Sequence, residues 1–375
     1  MALNVTLKTS FTNDMEPANY TDVPQIPMRS TLAVGLSSLI VCFICLATVL
    51  GNVAVIYAIA NTRKLREKPS SIFLINLSIT DLSSALFVML AAFIYISLDL
   101  DRVNTIWCNF VCAMNYCLII VSMMTLAVIS VDRLISVLYP FKYHDIVTKG
   151  RVVAVIVFTW IQGFIFGIAP AFQGWVHYDY WEAICAINWH REPRVGPINY
   201  VIGAFALCFI VPAIVILVCY TVTIRYAKIS LRNSIPASAS SSSIQNNNVE
   251  VRKHNKDGYL GLKTITSMLV VVAAFFICLT PFSVTKLIKV ITNDSYNVPP
   301  YVNLWAAFFG YLSSMVNPFI YGILRPDFRR AYKKMFHRMM GRQSYHLHET
   351  TMIFYSPVNI ISKQRRSQHN RSLYR

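Results

Sequence analysis

Charge is scarce in this chain. Asp, Glu, Lys and Arg make up 14% of its 375 residues, and hydrophobic side chains reach 55%. Soluble globular proteins carry about 25% charged residues, so an ordinary set of water-soluble domains is excluded. A disordered chain, which needs low hydrophobicity, is excluded as well. Nine cysteines are too few for a disulfide scaffold, and the composition is not that of a collagen. The marks of the common catalytic chemistries are also missing. There is no P-loop, no nucleophile elbow and no pair of catalytic carboxylates. The eight His lie in loops and tails, with only the weak His346-Leu347-His348 motif among them. No enzyme activity is expected.

What the chain has is apolar length. A membrane-crossing helix needs about 20 mostly apolar residues. Seven stretches qualify, roughly 32–60, 70–97, 106–138, 152–172, 198–227, 262–291 and 300–324. The expected fold class is an all-α membrane protein, a seven-transmembrane helix bundle over 32–324. An N-terminal segment (1–31) precedes it, a short amphipathic eighth helix (325–340) follows it, and a cytoplasmic tail (341–375) completes it. No compact apolar signal core precedes the first span, so that span is expected to direct its own insertion. Residues 233–258, rich in Ser and Asn, and the polar tail read as flexible segments.

The net charge of +17 is explained by its distribution. With the N-terminus outside, only Lys8, Arg29, Arg102, Arg191, Arg194, Lys286 and Lys289 lie on the outer side. The other 27 of the 34 basic residues lie inside. This is the positive-inside pattern. It suits anionic lipid at the inner surface and requires no nucleic acid. Asn4, Asn19 and Asn293 head glycosylation signals on the outer side. Two further matches, at Asn76 and Asn370, fall where no sugar can be added, so the motif is weak support. In 325–340, Phe328, Tyr332, Met335 and Phe336 share one helical face and basic residues fill the other, as in a helix lying on a membrane surface.

Ionisable groups inside spans are costly, which makes them functional candidates. Asp132 is followed directly by Arg133 and can be neutralised by it. Asp81 has no charged neighbour in sequence and needs polar partners from other helices, for which Asn52, Ser122, Ser313 and Asn317 lie at similar depth. Such an oxygen set suits a small hard cation such as sodium; a neutral, hydrogen-bonded Asp81 is the alternative. Pro281 and Pro318 interrupt the sixth and seventh spans and are either pivots or fixed bends. Cys108 and Cys185 both face the oxidising side, where a disulfide between them is plausible. The remaining seven cysteines read as packing residues.

These features occur in a recognisable order: Gly51-Asn52-Val53; Asn76-Leu77-Ser78-Ile79-Thr80-Asp81; Cys108; Ser130-Val131-Asp132-Arg133; Trp160 and Pro170; Pro212 and Tyr220; Phe275 and Pro281; Asn317-Pro318-Phe319-Ile320-Tyr321; Phe328. Taken together over about residues 32–340, the pattern resembles the rhodopsin-like (class A) G-protein-coupled receptors. The resemblance implies a receptor that passes an extracellular signal to a heterotrimeric G protein from the plasma membrane. It implies a sodium and water pocket at Asn52, Asp81, Ser122, Ser313 and Asn317. It gives Arg133 a G-protein contact, with Tyr220 and Tyr321 swinging toward it in the open form, and it pairs Cys108 with Cys185. Ser344, Thr350, Thr351 and Ser367 are candidate sites for receptor kinases and hence arrestin.

By helical spacing, the family's ligand positions fall on Asn115, Tyr116, Ile119, Ala204, Phe205, Cys208, Phe282, Ser283, Lys286, Asn303 and Ala307. Asn115 replaces the Asp that amine receptors use, and Tyr311 replaces the Lys that retinal needs, so a simple biogenic amine and a retinal Schiff base are both disfavoured. Lys286 is expected either to pair with an acidic ligand group or to reach water. Leu134 and Leu279 depart from the family's Tyr and Trp, and Gly261 stands where some receptors carry an acid that clamps Arg133. High basal activity is the expected consequence. The outer-loop stretch Trp189-His190-Arg191-Glu192-Pro193 is similar to that of an orphan receptor of the primary cilium. A seven-helix ion transporter or pump is the alternative, but only Asp81 lies deep enough to carry ions.

Overall fold

A computed structural model describes residues 28–188, 195–233, 247–292 and 298–340. The expected glycosylation residues Asn4, Asn19 and Asn293, the stretch 189–193 and the tail residues from Ser344 to Ser367 lie outside them. Seven helices, among the described residues, are long and apolar enough to cross a membrane. They are α1 (Thr31–Asn61), α2 (Ser71–Ser97), α3 (Thr105–Leu138), α4 (Lys149–Phe172), α5 (Val195–Phe205, a π-helical turn Ala206–Ile210, then Val211–Asn233), α6 (Asn247–Thr292) and α7 (Pro300–Leu324). The amphipathic α8 (Pro326–Met339) follows. A hairpin between α4 and α5, β1 (Val176–Asp179) with β2 (Ile184–Ile187), interrupts the all-helical pattern. Its strands pair antiparallel, with Tyr178 opposite Cys185.

Local chemistry sets several of the ends. Orphan amides at a helix start are met by side-chain oxygens: Ser30 accepts from Ala33 N at 3.2 Å, and Asn104 accepts from Ile106 N and Trp107 N at 2.9 and 3.2 Å. Pro300 and Pro326 open α7 and α8, where a missing N–H costs nothing. One expectation is corrected. Residues 247–258 were read as part of a flexible segment but continue α6. Once a packed span has nucleated a helix, each further residue adds a backbone hydrogen bond at little cost, and Glu250, Arg252 and Lys253 are good helix formers.

The outer surface of the bundle is apolar. Leu32, Leu39, Phe43, Leu46 and Leu50 stand exposed along α1, an arrangement stable only against lipid. In lipid, close packing and polar ties hold helices together. Asn76 of α2 donates to Thr125 Oγ1 of α3 at 2.9 Å and accepts from Trp160 Nε1 of α4 at 2.9 Å, joining three helices at one side chain. Gly163 and Gly167 let α4 lie against α3: a Cβ on Gly167 would stand 2.6 Å from the Ala113 carbonyl oxygen. The Cys108–Cys185 disulfide, with Cα atoms 5.3 Å apart, fastens β2 to the start of α3. At the opposite end Phe328 of α8 is fully buried, its ring 5.4 Å from that of Tyr321.

Gly167→Leu therefore overpacks the α3–α4 contact. The expected cost is about 1–3 kcal/mol, seen as a lower thermal midpoint of the solubilised protein. Gly35→Ala, where an added Cβ meets nothing within 4 Å, leaves the midpoint unchanged or raises it slightly.

Candidate functional site

The deepest charged group is Asp81. It is buried, accepts from Asn317 Nδ2 at 2.9 Å, faces Ser314, and has no ion-pair partner among the described residues. Asn52 does not touch it; its Nδ2 donates to Ser314 O at 3.2 Å and so holds the α7 backbone beside the carboxylate. Ser122 and Ser313 line an adjoining cavity of about 40 Å³, together with Ser84 and Ser314. That is room for a few waters. The five expected residues thus converge on one region, with Ser314 as the member that spacing missed. A buried carboxylate without a cationic partner, beside a small hydroxyl-lined cavity, is a donor set that fits a small hard cation.

The same cavity runs toward the hairpin. Asn115, Ile119, Phe282 and Ala307 line it, joined by Ile184, Leu279 and Tyr311. The other expected ligand positions do not. Tyr116 packs on the Cys108–Cys185 disulfide, Cys208 accepts from Gln162 Nε2 at 3.7 Å, Ser283 is half-buried, and Asn303 is buried in α7. Ala204 is half-buried outside the lining. Phe205 is corrected outright: it is 46% exposed and stacks on Phe209 with centroids 5.0 Å apart. The π-helical turn at Ala206–Ile210 carries an extra residue, which rotates the preceding turn relative to simple 3.6-residue spacing.

Lys286 is largely withdrawn from water and pairs with an acid of the chain itself, Glu182 of the β1–β2 turn. Lys289, one turn further along α6, contacts the other oxygen, Glu182 Oε1, at 2.6 Å and Asp179 Oδ2 at 2.9 Å. Glu182 and Lys289 are nearly inaccessible, with side chains 2% and 3% exposed. Two lysines therefore meet two acids in a buried, neutral clamp between α6 and the hairpin. A weak signal for it existed: Lys286 and Lys289 share a helical face, and Glu182 lies three residues before the disulfide that pins its loop over the bundle. Burial raises the Asp179 carboxyl, but the Lys289 and Lys286 ammonium groups outweigh it and hold it below the usual carboxylate range. Burial also lowers His177, against the opposing pull of Asp179. Beside this clamp, Arg29 stacks on the Tyr180 ring at 4.1 Å, donates to the Tyr180 carbonyl and pairs with Asp99 at 3.3 Å.

At the α8 end Arg133 pairs with the adjacent Asp132. Asp132 also accepts from Tyr143 Oη at 2.7 Å, from the single helical turn Tyr143–Ile146 that joins α3 to α4. Burial and the Asp132 carboxylate push the Tyr143 hydroxyl up to about 12, so it remains a donor. Tyr220 is buried in the core cluster of α5, and Tyr321 is buried against Phe328, its hydroxyl without a hydrogen bond among the described residues. Lys68, after α1, reaches Asp327 of α8 at 3.8 Å. Pro281 and Pro318 sit within continuous helices. The Pro318 ring faces Gly51, where an added Cβ would come within 2.8 Å of it.

Comparison with known proteins places this geometry. Residues 51–321 match the family described as "7 transmembrane receptor (rhodopsin family)". G-protein coupled receptor 161 of Mus musculus is 28% identical over 289 residues, covering 71% of this chain and 51% of that receptor. The alpha-1A adrenergic receptor of Bos taurus is 27% identical over 343 residues, covering 84% and 71%. The chain spans about half the length of the mouse receptor. The crystal structure of squid rhodopsin superposes with a TM-score of 0.72 at 21% identity, covering 84% of this chain and 88% of that one, which shows the seven-helix fold.

The hairpin end carries a pH signature. A base whose folded pKa is depressed stabilises the fold above its unfolded value and loses that contribution as pH falls. For His177 the loss begins below about pH 6.5; for Asp179 it begins only near 3.8. The thermal midpoint should therefore start to fall as pH drops below about 6.5, and His177→Gln should flatten that part of the profile.

Proposed function

This chain belongs to the rhodopsin family of seven-transmembrane receptors, and on that premise we propose that it is a G-protein-coupled receptor with the hairpin end outside the cell and the α8 end in the cytoplasm. The distribution of basic residues supports this orientation. Plasma-membrane residence, a heterotrimeric G-protein partner, and kinase and arrestin recognition of the tail belong to the same reading. The observation that carries it is the Asp132–Arg133 pair at the cytoplasmic mouth of the bundle. Signalling of this type needs no covalent chemistry. It needs two helix arrangements and a ligand or intrinsic bias that favours one of them.

In the arrangement described here, Arg133 is neutralised by its neighbour and Tyr321 is docked on α8. Activation separates the cytoplasmic helix ends about Pro281 and Pro318 and exposes the Arg133 guanidinium. Tyr220 and Tyr321 then turn toward it. Gly261 stands where some receptors carry an acid that clamps Arg133, and the Asp132 contact opposes release. The pair is largely buried, with Asp132 3% and Arg133 16% exposed, so it parts only as the mouth opens and water or a partner reaches the guanidinium; high basal activity is the reading that Gly261 supports.

Asp81, Asn317, Ser122 and Ser313, with Asn52 and Ser314 behind them, would hold a sodium ion in the cavity. The ion would supply a counter-charge to Asp81. These residues otherwise hold α2 and α7 in register through the Asp81–Asn317 hydrogen bond. Asn115 and Tyr311 argue against amine and retinal ligands, as their chemistry already implied, and a transporter would need further deep acids.

In cells matched for surface expression, the wild type should raise second-messenger output above that of untransfected cells, and Arg133→Ala should abolish the excess. Equal output from the two would remove the role given to Arg133. Replacing potassium with sodium should raise the thermal midpoint of the wild type, by the equivalent of about 1.4 kcal/mol at ten times the dissociation constant. Asp81→Asn should show no such difference.

A further inference from the structure

We propose that Lys286 and Lys289 form a carboxylate-binding site, filled within the chain by the side chain of Glu182 and open to a small extracellular organic acid that displaces it. As a statement about the receptor's ligand, this rests on the receptor reading above. As a statement about a binding site, it stands on geometry alone.

The two ammonium groups lie one helical turn apart and converge on a single carboxylate, each taking one of its oxygens. Both are largely withdrawn from water: the Lys289 side chain is 3% exposed and that of Lys286 14%. A buried cation left without its partner is strongly destabilising, so a carboxylate that re-pairs it is favoured there. Asp179 offsets one positive charge. Without the Glu182 side chain beyond Cβ, the site would therefore keep one unmatched cation and an acetate-sized hole beside it, and propionate fills that hole with one further methyl group to place toward the cavity. The occupant comes from a loop rather than from the helices. Its turn holds Ala183 at φ 50°, a left-handed conformation unfavourable for an L-residue, and the Glu182 amide donates to Asp179 Oδ1 at 3.0 Å. The Glu182 side chain thus reaches the lysines from a turn outside the helices, and a free carboxylate would take its place on them.

The site also has room for the rest of a ligand. Lys286 Nζ lies 5.2 Å from the centre of the Phe282 ring, and Phe282 lines the central cavity with Ile184, two residues after Glu182. Acid recognition at the lysines thus adjoins the central cavity of about 40 Å³, whose near end is apolar at Ile184, Leu279 and Phe282. This selects short acids with a small apolar end.

The test uses full-length solubilised protein, with thermal midpoint as the readout and sodium propionate as the probe. Sodium chloride at equal ionic strength controls for screening, and propionamide controls for shape without charge. Glu182→Ala should lose thermal stability, and propionate should restore it by several degrees where chloride and propionamide do not. The combined variant Glu182→Ala with Lys286→Met and Lys289→Met should show no restoration. In the wild type Glu182 competes, so propionate should give a smaller shift of the same sign that Lys286→Met removes. If Glu182→Ala is recovered poorly, the same salts are added at solubilisation and the yield of monodisperse protein is read instead. No effect of propionate on Glu182→Ala by either readout overturns the site, as does an effect that survives loss of both lysines. A shift in Glu182→Ala with none in the wild type at saturating propionate overturns displacement by a free ligand. None of these readouts needs a G protein, so failure here leaves the role of Arg133 standing, and failure of Arg133 leaves this site standing.

Discussion

A buried polar group in this bundle gains by finding a partner on another element, because an unsatisfied one in an apolar interior costs several kcal/mol. Lipid gives apolar faces no reason to choose one helix neighbour over another. The polar ties therefore decide register. Asn76 joins α2, α3 and α4, Asn52 joins α1 to the α7 backbone, and Asn317 joins α7 to Asp81 on α2. Each tie spans two or more helices, so none can form unless several spans are already correctly placed. A chain with only 17 acidic residues has few ways to make such ties wrongly.

The two ends of the bundle are held by different means. The hairpin end has a covalent link at Cys108–Cys185, two buried lysines meeting two acids, and Arg29 held by Tyr180 and Asp99. Breaking one partner of such a buried pair is strongly destabilising. The α8 end relies on Asp132 beside Arg133, on the Tyr143 hydroxyl, and on a longer contact between Lys68 and Asp327. It has no disulfide among the described residues. The hairpin end thus carries a covalent link and the four paired charges of the lysine clamp, while the α8 end has the buried Asp132–Arg133 pair and the longer, more exposed Lys68–Asp327 contact.

Much of this was legible in the sequence because it is written in runs and periodicities. Seven apolar stretches long enough to cross a bilayer need no tertiary information, and the alternation of aromatic and basic residues in 326–339 marks α8 directly. The convergence of Asp81 with Asn317, Ser122 and Ser313 was readable because depth along a span can be counted in residues. The Lys286–Glu182 pair was not, since it joins groups 104 residues apart through a loop whose fold depends on the disulfide and on Arg29. Phe205 was misplaced for a different reason: a single π-helical turn shifts the face of every residue before it, and no composition signal announces such a turn. The backward extension of α6 into 247–258 was hidden by polar composition, because a helix already anchored by packing can outrun its apolar residues.

One cavity connects the two chemistries of the bundle. Ile184, next to the turn that carries Glu182, lines it at one end, and Ser313 and Ser314, next to the Asp81–Asn317 contact, line it at the other. Leu279 and Phe282 from α6 form its wall on either side of Pro281. The lysine clamp and Pro281 lie on the same helix, α6, within three turns of each other. Packed interiors respond to local changes by switching between discrete arrangements rather than by gradual deformation. Leu279 bears directly on this, since the family's larger Trp at that position would fill space that this chain leaves to the cavity. Gly261 is a second departure from the family's pattern on the same helix. Both thus fall on α6, one two residues before Pro281 and one about five turns earlier.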